Sequence, residues 1–134
     1  MPVKVMLMLR RKEGMTPDEF RAAYEEGHSR LGLRLFGHLW SEYRRNYLGA
    51  ANSFAAESGT PTDAAPADSE CPYDVITELV FKDRAALEEM NRIAAIPENK
   101  RLLSEDEETL FDRERCWTAM CEVLNEDLST VVKQ

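Results

Sequence analysis

The sequence predicts an α+β fold with elements in the order β-α-β-β-α-β, and three observations carry that expectation. Four segments have the alternating, β-branched or aromatic make-up of strands. A capping box opens a stripe of apolar residues at three-and-four spacing between the first two strands. A second capped helical stripe separates the last two. This is the split βαβ pattern of a ferredoxin-like arrangement, in which a four-stranded antiparallel sheet carries two helices on one face.

Pro2–Arg11 reads as the first strand, stopped by Lys12-Glu13-Gly14. Val3, Val5, Leu7 and Leu9 share one face, while Met6 and Met8 lie on the other with Lys4 and Arg10. Apolar residues on both faces imply a sheet covered, at least in part, on both sides. Thr16 followed by Glu19 is the capping box, with Pro17 at the first helical position. Phe20, Ala23, Tyr24, Gly27, His28 and Leu31 then line one helical face. A bend or break is expected between Gly27 and Gly32, with a short further piece through Leu33–Phe36.

Trp40–Leu48 alternates aromatic and polar residues as a second strand. Its pattern puts Tyr43 and Tyr47 on one face with Ser41 and Arg45, and Trp40, Glu42, Arg44 and Asn46 on the other. Residues 49–72 are dominated by Ala, Ser, Gly, Pro, Thr and Asp, and read as a mobile loop serving as a lid or insertion rather than a domain boundary. Tyr73–Phe81 is the third strand. Asp83 is the N-cap of a helix bearing Leu87, Met90, Ile93 and Ala94. Pro97 interrupts that helix and opens another piece, with Leu102, Leu103 and Leu110 as its apolar contacts. The run Glu105-Asp106-Glu107-Glu108 reads as a solvated helix face. Arg115–Val123 is the fourth strand, and a tail follows from Asn125.

At 134 residues, the chain is expected to form one domain over residues 1–134. Its 43% hydrophobic and 31% charged residues are those of a globular protein. A net charge of −8 argues against a nucleic-acid partner, which would require a basic surface. No apolar run is long enough to cross a membrane. With no secretory signal before the first strand and no Cys-x-x-Cys pair among Cys71, Cys116 and Cys121, a cytoplasmic protein with reduced thiols is expected. The second sheet face must mix Met with Lys, Glu and Arg. Pairing with an identical sheet across a two-fold axis would cover it, so the expected partner is a second copy of the chain.

These motifs together resemble the EthD family of dimeric α+β barrel proteins. The resemblance rests on Leu9-Arg10-Arg11-Lys12-Glu13-Gly14-Met15-Thr16, on Asp18-Glu19-Phe20-Arg21 and Tyr24, and on Glu26-Gly27-His28 near the helix end. It continues through Tyr43-Arg44-Arg45-Asn46-Tyr47 and from Asp106-Glu107 to Phe111-Asp112. The family pattern commonly has His-Ala-Pro where this chain has His28-Ser29-Arg30, so the histidine is kept and the residues that end the helix are not. The resemblance implies an intracellular homodimer linked to catabolism or polyketide tailoring. Related barrels include lactone isomerases, polyketide cyclases, dehydratases, cofactor-free monooxygenases and some haem binders. What they share is an apolar pocket between sheet and helices; fold alone does not choose among the chemistries.

Within such a pocket His28 is the candidate general base or acid, with Tyr24 one turn before it. The competing reading is a packed histidine satisfied by a backbone carbonyl. Tyr24, Tyr43 and Tyr47 are candidates to hold a substrate oxygen, and so is Asn46 if the strand register turns it inward. Phe20, Trp40, Phe81 and Trp117 are candidate flat walls for an aromatic substrate, though each also suits a plain core. Asp112 either orients a partner or caps a turn. No metal site is expected. His38 falls near the entrance of the second strand with no third ligand announced, and Cys116 and Cys121 face opposite sides of a strand. Haem binding has no second feature behind either histidine. There is no Gly-rich phosphate loop and no Gly-x-Ser-x-Gly elbow. The expected function is therefore a cofactor-independent lyase, isomerase or cyclase moving a proton on a small aromatic, polyketide-like or lactone substrate. The alternatives are a carrier for a hydrophobic metabolite and a structural dimer whose pocket is filled.

Overall fold

The computed structural model describes residues 1–55, 59–63 and 71–133. Strands β1 (Val3–Leu9), β2 (Trp40–Tyr47), β3 (Val75–Phe81) and β4 (Trp117–Cys121) form one antiparallel sheet in the order β2-β3-β1-β4. Helices α1 (Pro17–Ala23) and α2 (Ser29–Phe36) lie between β1 and β2, and α3 (Arg84–Ala94) and α4 (Pro97–Leu110) between β3 and β4. This is the α+β, ferredoxin-like arrangement expected from the element order.

The middle of the sheet holds the core. Along β3 burial alternates, with Val75, Thr77, Leu79 and Phe81 turned inward. Register sets them opposite Leu9, Leu7, Val5 and Val3 of β1, so one apolar face runs across both strands. That face supports two clusters. Phe20 and Tyr24 pack with Leu9, Val75, Leu110 and Phe111 at one end, and Leu79, Phe81 and Ala86 gather Leu87 and Met90 at the other.

The capping box forms at the start of α1. The Glu19 N–H donates to Thr16 Oγ1 at 3.1 Å, and the Thr16 N–H donates to Glu19 Oε1 at 2.9 Å. The expected break near Gly27 is absent. Tyr24–His28 forms a π-helical turn, with the Ser29 N–H reaching back to the Tyr24 carbonyl, and α2 continues directly from it. No proline stands after His28 to remove a backbone donor, so nothing stops the helix there. The wider turn also has a packing effect. In a regular α-helix each step of four residues drifts by about 40° around the axis, and the π turn takes up that drift. Tyr24 and His28 therefore both stay turned toward the sheet, their ring centroids 5.6 Å apart.

A second departure lies in β2. A bulge between Trp40 and Glu42 pairs Trp40 with Phe81 and Glu42 with Val80. Trp40 thereby joins Tyr43, Arg45 and Tyr47 on the helix-covered face, instead of Glu42, Arg44 and Asn46. Ser41 leaves that face, its hydroxyl donating to the Val80 carbonyl at 3.1 Å. Extra residues of this kind are how sheets re-aim a side chain at a strand end. Trp40 settles against Gly32, where an added Cβ would come within 3.3 Å of the indole.

Among the described residues, no α-helix covers the other face of the sheet. Register aligns Lys4, Met6 and Met8 with Val80, Glu78 and Ile76 on one side and with Cys121, Ala119 and Trp117 on the other. Polar groups are threaded through it: Lys4 pairs with Glu78, and the Asn46 amide donates to Glu78 at 2.9 Å. Trp117 is 65% exposed on this face. The described parts of residues 49–72 contain neither helix nor strand, and the expected mobile lid falls largely outside the described residues. Among the described residues, no helix is long and apolar enough to cross a membrane.

Phe81 is fully buried at the centre of one cluster, and a cavity left there would be costly. Phe81→Ala should lower the unfolding free energy by about 3–5 kcal/mol in urea titrations. A loss below about 1 kcal/mol would show that the cluster does not hold the fold.

Candidate active site

Between the helices and the sheet lies a cavity of about 210 Å³. Leu7 and Leu79 form its floor; Phe36, Met90 and Leu103 are its apolar walls. Tyr24, His28, Trp40, Tyr43, Thr77 and Glu107 supply its polar edge. Leu103 and Glu107 come from α4, which leans over the π turn.

His28 is held from behind. Its Nδ1 lies 2.6 Å from Asp106 Oδ2, and its ring stands edge-on to Phe111 at 5.2 Å. Nε2 has no hydrogen-bond partner among the described residues. A carboxylate on Nδ1 fixes the ring's orientation and tautomer and leaves Nε2 to act on whatever occupies the space beside it. Asp106 belongs to the acidic run read as a solvated face, so that reading needs correction. In α4, Leu103, Asp106 and Leu110 fall at helical three-and-four spacing. Asp106 therefore shares the stripe with the leucines instead of opposing it. That spacing was the available signal.

Tyr24 is 2% exposed, and its hydroxyl lies 2.8 Å from Thr77 Oγ1. Burial, followed by the neighbouring Tyr43 phenol, pushes Tyr24 far above the ordinary phenol range, while the bond from Thr77 pulls the other way. Tyr24 therefore remains a neutral phenol, able to donate but not to act as a base. Tyr43 donates to the hydroxyl of the fully buried Ser29 at 3.1 Å. The indole Nε1 of Trp40 is buried and has no hydrogen-bond partner among the described residues.

The structure thus gathers four of the sequence candidates, Tyr24, His28, Trp40 and Tyr43, around one cavity. It does not bring the others there. Phe20 and Phe81 are core residues, Phe20 resting on Tyr24 with ring centroids 5.9 Å apart. Asn46 faces the uncovered side, its amide donating to the Ile76 carbonyl and to Glu78. Trp117 stands exposed on that same side. Asp112 lies in a separate surface hollow with Lys12 and Arg115, its N–H donating to the Arg10 carbonyl at 3.0 Å. Thr77, Ser29, Asp106 and Glu107 were not anticipated. Threonine and serine in these positions look like ordinary strand and helix residues until the tyrosine hydroxyls arrive.

Tyr47 serves a neighbouring cluster. Its hydroxyl donates to Glu25 Oε2 at 2.6 Å, and Arg45 grips the same carboxylate through two bonds of 3.0 and 2.6 Å. Burial and then the bond to Glu25 raise Tyr47 well above the usual phenol range. The Arg45 bond chiefly, helped by Tyr47, holds the Glu25 carboxyl down to about 2, although partial burial opposes it. Arg45 also lies over the Tyr43 ring at 4.4 Å. The cluster braces the strand that carries Tyr43. His38 sits exposed in a 3₁₀ turn away from the cavity, and among the described residues no three His, Cys, Asp or Glu side chains gather as a metal ion would require.

The family model for the EthD domain matches residues 12–114. Solved structures with the same fold include an ethyl tert-butyl ether D (EthD) family protein from Bacillus halodurans, with a TM-score of 0.58 at 12% identity over 92% of this chain and 100% of that one. An EthD-like protein from Ralstonia eutropha gives 0.56 at 16% identity, covering 94% and 95% of the two chains. A dimeric ferredoxin-like protein of unknown function from Jannaschia gives 0.52 at 17%, covering 92% and 100%. At these identities the likeness establishes the fold alone. No match was found among curated proteins.

Glu25 links its ionisation to stability. Its folded value of about 2 lies below the ordinary carboxylate value, so its contribution is fully present above about pH 4.5 and fades as pH falls toward 2. Glu25→Gln should flatten acid unfolding across that window while changing stability near pH 7 in the destabilising direction. Identical acid-unfolding curves for the two proteins, followed by circular dichroism, would remove Glu25 from the account.

Proposed function

The chain belongs to the EthD family, and we propose that it is a cofactor-independent lyase, isomerase or cyclase that transfers a proton on a small aromatic, polyketide-like or lactone substrate. The observation that carries this reading is the Asp106–His28 pair, 2.6 Å apart, with the imidazole at the edge of an apolar cavity. A histidine that merely fills space has no need of a carboxylate on one nitrogen and open volume beside the ring.

In the proposed reaction a carbonyl compound lies against Leu7 and Leu79 with its acidic α C–H toward His28 Nε2. The imidazole takes that proton, and the electron pair moves onto the carbonyl oxygen as an enolate. Asp106 steadies the imidazolium through Nδ1. Tyr24, whose bond to Thr77 can run in either direction, is suited to donate to the enolate oxygen, and the Tyr43 hydroxyl would join it by turning from Ser29. Return of the proton to a different atom isomerises the substrate; attack of the enolate carbon on a second carbonyl closes a ring, the imidazolium proton passing to the new alkoxide; loss of a β-leaving group, which takes that proton, completes an elimination. None of these routes needs an electron acceptor.

The partner in this proposal is a second copy of the chain, packed sheet to sheet over the helix-free face. Met6, Met8, Ile76 and the exposed Trp117 give that face its apolar content, and a structural relative from Jannaschia is described as dimeric.

A compound that co-purifies, identified by native mass spectrometry, supplies the substrate for kinetic tests. His28→Gln should lower kcat by at least ~10²-fold with KM little changed, and Asp106→Asn should fall between it and the wild type. Unchanged turnover in His28→Gln sinks the catalytic reading. Binding without any turnover in the wild type would instead mark the protein as a carrier.

Dimerisation is tested separately. Sedimentation should give a dimer at micromolar concentration, and Met6→Glu combined with Trp117→Glu should give folded monomers. A wild-type monomer at that concentration is the contrary result.

A further inference from the structure

We infer that the cavity selects uncharged ligands and that Glu107 sets this selection; the inference rests on reading the cavity as the ligand site. Among its described lining residues there is no lysine or arginine. The charged or chargeable groups are His28 and Glu107, and the Asp106 carboxylate stands directly behind His28. A cavity that holds carboxylic acids or phosphates would be expected to offer them a fixed cation. This one offers a carboxylate.

The cation facing Glu107 does not cancel it. Arg113 comes no closer than 3.7 Å, and the two side chains are 54% and 36% exposed, so solvent screens the pair and Glu107 acts from the cavity's rim. An anionic ligand would therefore meet like charge against the apolar surfaces of Leu7, Leu79, Phe36 and Leu103. There it would lose hydration without gaining a counter-charge. The net charge of −8 adds a field of the same sign outside.

The other polar groups of the lining, Tyr24, Tyr43 and Thr77, are hydroxyls, and the Trp40 indole adds a flat neutral surface. An uncharged oxygen such as that of a carbonyl, amide or phenol can be hydrogen-bonded there without importing charge. At about 210 Å³ the cavity is below the usual size of small-molecule sites, roughly 300–1,000 Å³. The ligand class is thus a compact neutral aromatic or lactone bearing an oxygen acceptor, not the corresponding free acid.

The test uses two ligands of nearly the same shape, 2-naphthamide and 2-naphthoate, titrated calorimetrically at pH 7 into the full-length protein. The amide should bind at least about tenfold tighter. Glu107→Gln should raise naphthoate affinity by about fivefold or more and leave naphthamide within about twofold. The chain has two tryptophans, so in Trp117→Phe the single indole N–H resonance belongs to Trp40, and it should shift when the amide binds. Equal affinities in the wild type, or an unchanged ratio in Glu107→Gln, would overturn charge selection and leave the cavity as the site. Absence of binding by both ligands, or binding that leaves the Trp40 resonance unmoved, would overturn the site reading itself.

Discussion

The hydroxyl of Tyr24 is buried under the first helical region and bonds to the equally buried hydroxyl of Thr77 on the central strand β3. Most of the site follows from that bond. A buried polar group without a partner costs about 1–3 kcal/mol, so rotations of the helix that separate the two hydroxyls are penalised. With Tyr24 so placed, the next turn sets His28 beside it, and the stripe on α4 meets His28 with Asp106. Tyr43 is positioned by similar means, from the sheet side, through its bond to the buried Ser29. The helices are thus registered on the sheet by hydroxyl pairs as well as by apolar packing.

The π-helical turn at Tyr24–His28 shows how a local irregularity serves this arrangement. An unbroken α-helix would carry its inward stripe progressively around the axis, and a helix ended by proline would stop near the histidine. The chain does neither. It keeps hydrogen bonding through the wider turn and continues as α2, which brings Gly32 and Phe36 to the cavity. Gly32 then allows the Trp40 indole close approach, which the bulge in β2 makes possible from the other side.

Polarity is distributed unevenly across the sheet. The covered face holds hydroxyls and one imidazole around a neutral interior, with the Glu25–Arg45 ion pair kept at its edge. The uncovered face mixes methionines with Lys4, Glu78 and Arg44. In the proposed reading, a cavity built from hydroxyls, with carboxylates as its charged groups, suits proton movement on neutral molecules better than the capture of anions. Most of the polar groups inside this apolar shell are paired: Tyr24 with Thr77, Tyr43 with Ser29 and His28 with Asp106.

Periodicity and capping were sufficient for the strand and helix order, the start of α1 at Thr16, the N-cap at Asp83 and the inward direction of Tyr24 and His28. These depend on neighbours within a turn or a strand, so the residues themselves specify them. What lay beyond the sequence were the features that require two distant segments to meet. Asp106 is 78 residues from His28, and Thr77 is 53 from Tyr24. No local pattern announces either pairing. The face of Trp40 was misjudged for a related reason, since strict alternation assumes a regular strand and the bulge exists only against β3. Asn46, Trp117 and Asp112 have suitable chemistry, but strand register and the end of α4 leave them elsewhere. Short-range backbone geometry and burial decide the elements and the histidine-bearing stripe, so these are written in the residues. Which carboxylates meet the imidazole and the cavity is a matter of how α4 settles across the first helix, and that contact forms only in the folded chain.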